Sequence, residues 1–399
     1  MAEPSQDTLL PQPLVDYPRL NSKLMARAPE PSRGPGKNYL CVQAMRAVAA
    51  TLVVLHHSIS LWLDWIVKQP LAPHWTNGAA GVDIFFVISG FVMTISLPGL
   101  AGKPNKAGIF LWRRFTRIVP LYWAALTLTI AQIKLNPAAV LHSLLTPWRV
   151  AASYLFIPAN NGRGEMFPVV TVGWTLNYEV FFYFLFAVAL ALNVSPLAFL
   201  TPVLTAVALV GMMRPATWPD FTALASPMVI EFLFGVILAH LATRRKLPGA
   251  AWSAMLLVTG FLTLMLMPEY PASLRFLAWG LPAAAVVLGA VALEGQIGGR
   301  LPKWLLVAGD ASYALYLTHN FVLSHLGNAL QKLHFTGVPA LVASIVLGMG
   351  ISFAVAMPVH WYVEKPLMNL FKKRRQGARE ASAVPAAFPI TATVGSDSL

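Results

Sequence analysis

Residues Tyr39–Trp65, YLCVQAMRAVAATLVVLHHSISLWLDW, run almost wholly through apolar side chains yet carry ionisable groups. A stretch of that length is expected to cross a bilayer as a helix. Charge inside hydrocarbon costs at least a few kcal/mol, so it is kept mainly where it binds, pairs or reacts. Arg46 and His57 lie eleven positions apart, which on an ideal helix brings them to within roughly 20° of one face and about 16 Å apart along the axis. His56 falls roughly 80° off that face. The spacing therefore favours His57 over its neighbour as a group that moves a proton, with Arg46 nearer the helix end as an anion ligand. The bland reading is an arginine that snorkels to the headgroups and a histidine that packs.

The rest of the chain has the same character: 57% of its 399 residues are hydrophobic and 11% are charged. That composition lies outside the soluble globular range and predicts an all-α, polytopic integral membrane protein. The net charge of +13 does not imply nucleic acid as a partner, because most of the basic residues sit in tails and short connections beside apolar runs. There they fix topology and favour anionic membrane lipids. Cys41 is the single cysteine, which excludes an internal disulfide and a multi-cysteine metal site.

Residues 1–38 hold seven prolines and read as a disordered tail without the pattern of a cleaved signal peptide. About ten spans are expected: 39–65, 79–97, 118–133, 173–192, 197–213, 224–242, 251–267, 274–293, 304–324 and 339–361. Residues 136–172 read as an interfacial loop, 39–367 as the membrane domain and 368–399 as a basic, mostly disordered tail. With the amino terminus inside, 21 Lys and Arg fall on inner segments and seven on outer ones. The positive-inside rule then predicts that both termini are cytoplasmic.

Counting 1.5 Å per residue from the predicted span ends puts His57, Glu179, Glu231 and His319 in the outer half of the bilayer. Two carboxylates and two imidazoles at similar depth are expected to converge as a buried acid/base site; separate interhelical hydrogen bonds are the alternative. Arg113, Arg114 and Arg117 stand just before a span, and Arg114 and Arg117, three apart, suit a phosphate-rich ligand or lipid headgroups. Asp83, in GVDIFFVISGF, is expected to pair with an arginine or cap a helix. Ser89 and Gly90 beside it could allow close backbone approach. No glycine-rich phosphate loop and no His-x-x-x-His metal spacing is present.

The ordered blocks QAMRAVAATLVVLHH, GVDIFFVISGF, FLWRRFTRIVPLYW, TVGWTLNYEVFFY, EFLFGVILA, DASYALYLTH and VEKP resemble the acyltransferase 3 family of bacterial membrane proteins, particularly its exopolysaccharide-acylating branch. The resemblance covers roughly residues 39–367. It implies that the family's essential arginine and histidine fall on Arg46 and His57, its Arg-x-x-Arg on Arg114 and Arg117, and its tryptophan-block glutamate on Glu179. Two departures are visible: Arg-Ala replaces the usual Arg-Gly after the first motif, and Glu179 is followed by Val180 where the family has a second glutamate. Nothing after residue 367 resembles the esterase-like domain fused to some members.

The resemblance further implies transfer of an acyl group, most often acetyl, from cytoplasmic acyl-CoA to a carbohydrate hydroxyl at the bacterial inner membrane, with no metal. Arg46, Arg114 and Arg117 would hold the donor's phosphates, and His57, oriented by Glu179 or another buried carboxylate, would act as base or form a transient acyl-histidine. A transporter or flippase of a lipid-linked saccharide, or a membrane-anchored scaffold, is the alternative from another class.

Overall fold

In the computed structural model α1 spans Leu40–Leu61, and the described residues are 39–68, 75–135, 145–215, 217–268 and 270–371. The expected tail 1–38, the tail from 372 onward and part of the 136–172 loop lie outside them. No neighbouring side chain caps the start of α1. Its first amides are taken up from far along the chain: Leu40 and Cys41 donate to the two carboxylate oxygens of Glu294, at 3.0 and 2.8 Å. A carboxylate also complements the positive end of the helix dipole. Glu294 opens α10 (Glu294–Ile297) and is buried.

Twelve further helices follow α1: α2 (Gly81–Ile95), α3 (Lys106–Leu135), α4 (Pro147–Tyr154), α5 (Trp174–Ala191), α6 (Pro196–Met213), α7 (Val229–Thr243), α8 (Ala250–Leu266), α9 (Leu281–Ala292), α10, α11 (Lys303–Asp310), α12 (Ser312–Lys332) and α13 (Gly337–Val359). Short 3₁₀ or π turns extend several of them, so that the last runs on through Phe371. The protein is all-helical and polytopic, as its composition predicts. Eight described helices are both long and apolar enough to cross a membrane. The other two expected spans correspond to α8, with 17 residues, and α12, with 21.

Two boundaries differ from the sequence expectation. The basic connection 101–117 is not separate from the span after it, because Asn105 accepts the Gly108 amide at 3.0 Å and starts a continuous 30-residue helix. That helix is about 45 Å long, so roughly a third of it exceeds the hydrocarbon thickness. The expected span 304–324 is instead broken at Ala311 into α11 and α12, and α12 continues to Lys332. Polar residues such as Asn320 and Ser324 lower the hydropathy there, yet they face a cavity within the protein.

Aromatic packing joins α2, α5 and α7: the Phe232 ring stacks on Phe86 at 4.4 Å and on Phe182 at 4.5 Å. The backbones of α2 and α7 then touch. A Cβ on Gly90 would lie 2.0 Å from the Phe232 carbonyl oxygen, and one on Gly235 2.0 Å from that of Val87. Only glycine permits this approach, so the sequence expectation for Gly90 matches the geometry.

Candidate active site

The ionisable residues singled out from the sequence fall into three clusters rather than one. The first surrounds a cavity of about 110 Å³ reached by Arg46 from α1, Arg114 and Arg117 from α3, and Glu179 from α5. Arg46 Nη2 donates to Ser312 Oγ at 2.9 Å, and the Arg114 guanidinium lies 5.5 Å from the centre of the Phe110 ring. Glu179 Oε1 accepts from Ser89 Oγ at 2.8 Å and Tyr183 Oη at 2.5 Å. No described carboxylate forms an ion pair with any of the three arginines. Three guanidiniums facing one cavity with a single carboxylate on its wall make a site for an anion.

The second cluster is the histidine pair. His57 Nδ1 lies 2.9 Å from the Val53 carbonyl oxygen, and His319 Nδ1 lies 3.1 Å from that of Leu315. A carbonyl can only accept, so each Nδ1 carries the proton and each Nε2 is left as a base. His319 Nε2 approaches His57 Nδ1 at 3.4 Å, which reinforces that tautomer of His57. His57 lines a second cavity, of about 290 Å³, together with Asp64, Thr171, Asn320, Ser324 and Arg149. His56 is not among its lining residues, although its ring stands 5.0 Å from that of His57.

Arg149 was not singled out by sequence. Thr146 caps α4 by accepting the Arg149 amide at 3.1 Å, and the Arg149 side chain donates to the carbonyls of Phe167 at 3.1 Å and Pro168 at 3.0 Å. It is 2% exposed, and that burial lowers its pKa from the ordinary arginine value. The side chain thus ties α4 to the segment entering α5, which forms one wall of the histidine cavity. A basic residue in a loop gave no signal of this; only the carbonyl partners reveal it.

The third cluster is built around Arg275, Asp83 and Glu231. Arg275 grips Asp83 with two hydrogen bonds, Nε to Oδ1 at 3.1 Å and Nη2 to Oδ2 at 2.9 Å. Its guanidinium also lies 4.7 Å from the Trp279 ring centre. Glu231 is completely buried beside this pair and within the field of both partners. The structure therefore brings His57 and His319 together, gathers Arg46, Arg114, Arg117 and Glu179, and sets Asp83 and Glu231 apart. The four-group convergence expected from depth does not occur, because depth says nothing of helix rotation. Among the described residues, no three His, Cys, Asp or Glu side chains converge as a metal site.

A membrane-embedded bundle with a guanidinium-lined cavity and an oriented imidazole on the same helix has the groups to hold an anion and to move a proton. Comparison with known proteins supplies the class. Residues 39–357 match the acyltransferase 3 family, described as an acyltransferase domain, and the chain belongs to that family and is an acyltransferase. It is 32% identical over 309 residues to the exopolysaccharide production protein ExoZ of Rhizobium meliloti (strain 1021), across 76% of this chain and 93% of that protein. It is 24% identical over 334 residues to the acyltransferase MdmB of Streptomyces mycarofaciens, across 75% of this chain and 83% of that one. No solved structure matches the chain.

Proposed function

We propose that the protein is a membrane O-acyltransferase that takes an acyl group, acetyl above all, from acyl-CoA and transfers it to a hydroxyl of an exported or cell-envelope carbohydrate. The observation that carries this reading is that α1 serves two cavities, offering Arg46 to one and His57 to the other. The arginine cavity holds the phosphates of the CoA donor at the cytoplasmic side, and the histidine cavity receives the acceptor. Hydroxyl and amide side chains such as Ser60, Thr171 and Asn320 around His57 suit the hydroxyls of a sugar. The name of the Rhizobium relative agrees with such an acceptor. The setting is the bacterial inner membrane with both termini in the cytoplasm.

In the reaction, His57 Nε2 removes the acceptor hydroxyl proton as that oxygen attacks the thioester carbonyl. The carbon–sulfur bond breaks, and the proton passes to the departing CoA sulfur. The Val53 carbonyl and His319 orient the imidazole, taking the role expected of Glu179. Glu179 instead lines the arginine cavity, where Ser89 and Tyr183 hold its carboxylate. The test is label transfer: acetyl label from acetyl-CoA appears in the surface polysaccharide of cells that make the protein and not in matched cells that lack it. Label that crosses the membrane only as intact saccharide, without acylation, would favour a flippase.

Arg114 and Arg117 provide a separate check on the donor cavity. Replacing both with alanine is expected to weaken acyl-CoA binding by at least about tenfold, because two charge-assisted contacts to phosphate are lost. Lysine at either position should restore only part of it, since it lacks the bidentate geometry. Calorimetric titration of the detergent-purified protein with acetyl-CoA measures both; equal affinity in the double alanine variant would leave these residues a purely topogenic role.

A further inference from the structure

The two cavities share no lining residue, although transfer requires the thioester and the sugar hydroxyl to meet. Between them lies a compact hydrogen-bonded plug. Tyr316 and Thr175 line the arginine cavity, while Val172 lines the histidine cavity. The Tyr316 hydroxyl meets Thr175 Oγ1 at 2.8 Å and donates to the Val172 carbonyl at 3.0 Å. Thr175 Oγ1 also lies 3.2 Å from that carbonyl. Tyr316 is one helical turn before His319, with the two ring centres 5.9 Å apart, and Phe85 packs on its other side at 6.1 Å. Tyr316, Thr175 and Val172 are all buried.

We infer that Tyr316, held by Thr175 and the Val172 carbonyl, is a specificity residue that keeps water in the histidine cavity away from the thioester, so that the acyl group passes to a sugar rather than to water. The inference rests on the reading of the arginine cavity as the donor site. A base that activates a sugar hydroxyl activates water equally well, and water is always present in a polar cavity. In the unwanted reaction a water oxygen attacks the thioester carbonyl and the carbon–sulfur bond breaks. One water proton then ends on the CoA sulfur, and the acyl group leaves as the free acid. Tyr316 stands where that encounter would occur. Its hydroxyl is tied to the turn that leads into α5, so displacement of this turn when an acceptor fills the histidine cavity would free the ring and join the two cavities.

The experiment uses the full chain in liposomes, parent against Tyr316→Ala, with Tyr316→Phe and Thr175→Val as variants that keep the plug's volume and lose its hydrogen bonds. Two quantities are read without any acceptor: free thiol released from acetyl-CoA, and the rate at which protons reach a pH-sensitive dye trapped inside. Tyr316→Ala is expected to raise both by at least about tenfold, because it removes the ring that separates the cavities as well as its two buried hydrogen bonds. Tyr316→Phe and Thr175→Val should raise both by smaller factors, which carries the test if the alanine variant does not fold. A structural lesion alone would lower turnover without raising acceptor-independent thiol release. Faster proton entry with no thiol release would uphold the barrier and overturn the donor reading. Unchanged proton entry in every folded variant would overturn the inference.

Discussion

Replacing His57 with alanine is expected to reduce acyl transfer by at least about 10²-fold, the usual cost of losing a general base, in protein that inserts at the parental level. The same change at His56 should retain most of the activity. The two residues share chemistry and depth, but only His57 combines a fixed tautomer with a place on the cavity wall. Its Nδ1 is committed to the Val53 carbonyl at 2.9 Å, which turns Nε2 into the acceptor of a proton. His319→Ala should lower activity by less, because the Val53 carbonyl still holds the ring. Parental activity in His57→Ala, measured as label transferred per mole of inserted protein, would remove the base from the mechanism. Loss confined to His56→Ala would reverse the assignment of helix face.

The largest effect on stability is expected at Arg275. Asp83 and Glu231 are fully buried, and Arg275 is the cation that both face. Arg275→Ala would leave the Asp83 charge uncompensated in the buried interior beside Glu231, where removal of one partner of a buried pair costs about 3–5 kcal/mol. Thermal unfolding in detergent should show a clear fall in Tm. Arg275→Lys should recover part of it, since one ammonium cannot reproduce two parallel hydrogen bonds. Removing Asp83 together with Arg275 should be less harmful than removing Arg275 alone, because the neighbouring sites are coupled. An unchanged Tm in Arg275→Ala would mean that the bundle tolerates these carboxylates without the arginine.

Much of this arrangement can be read from residue spacing. The eleven-residue interval between Arg46 and His57 predicts a shared face and a separation of about 16 Å; in the structure the two line different cavities. Asp83 meets an arginine as its cost inside a membrane demands. The gathering of Arg46 with Arg114 and Arg117 joins α1 to α3, which no local pattern encodes. Glu179 and Glu231 escaped correct placement for a common reason. Their depth followed from counting along a helix, but their direction depends on how α5 and α7 are rotated against their neighbours. Hydropathy misjudged α12 differently, because it scores cavity-facing Asn320 and Ser324 as though they faced water. Tyr316 and Arg149 were invisible in sequence, since both act through backbone carbonyls.

The carboxylate that receives the first amides of α1 has a consequence for the order in which the protein is made. Glu294, which holds the amino-terminal end of the Arg46 and His57 helix, is synthesised some 250 residues after it. Until then that end is expected to fray, its first amides lacking an acceptor, which leaves the axial position of both residues unset. Cys41 reports on this, being the sole cysteine and only 2% exposed once assembly is complete. In a chain stalled before residue 294, a small maleimide is expected to label Cys41 rapidly; in one stalled after α13, slowly. Equal labelling of the two would mean that α1 settles on its own and owes its register to nothing downstream.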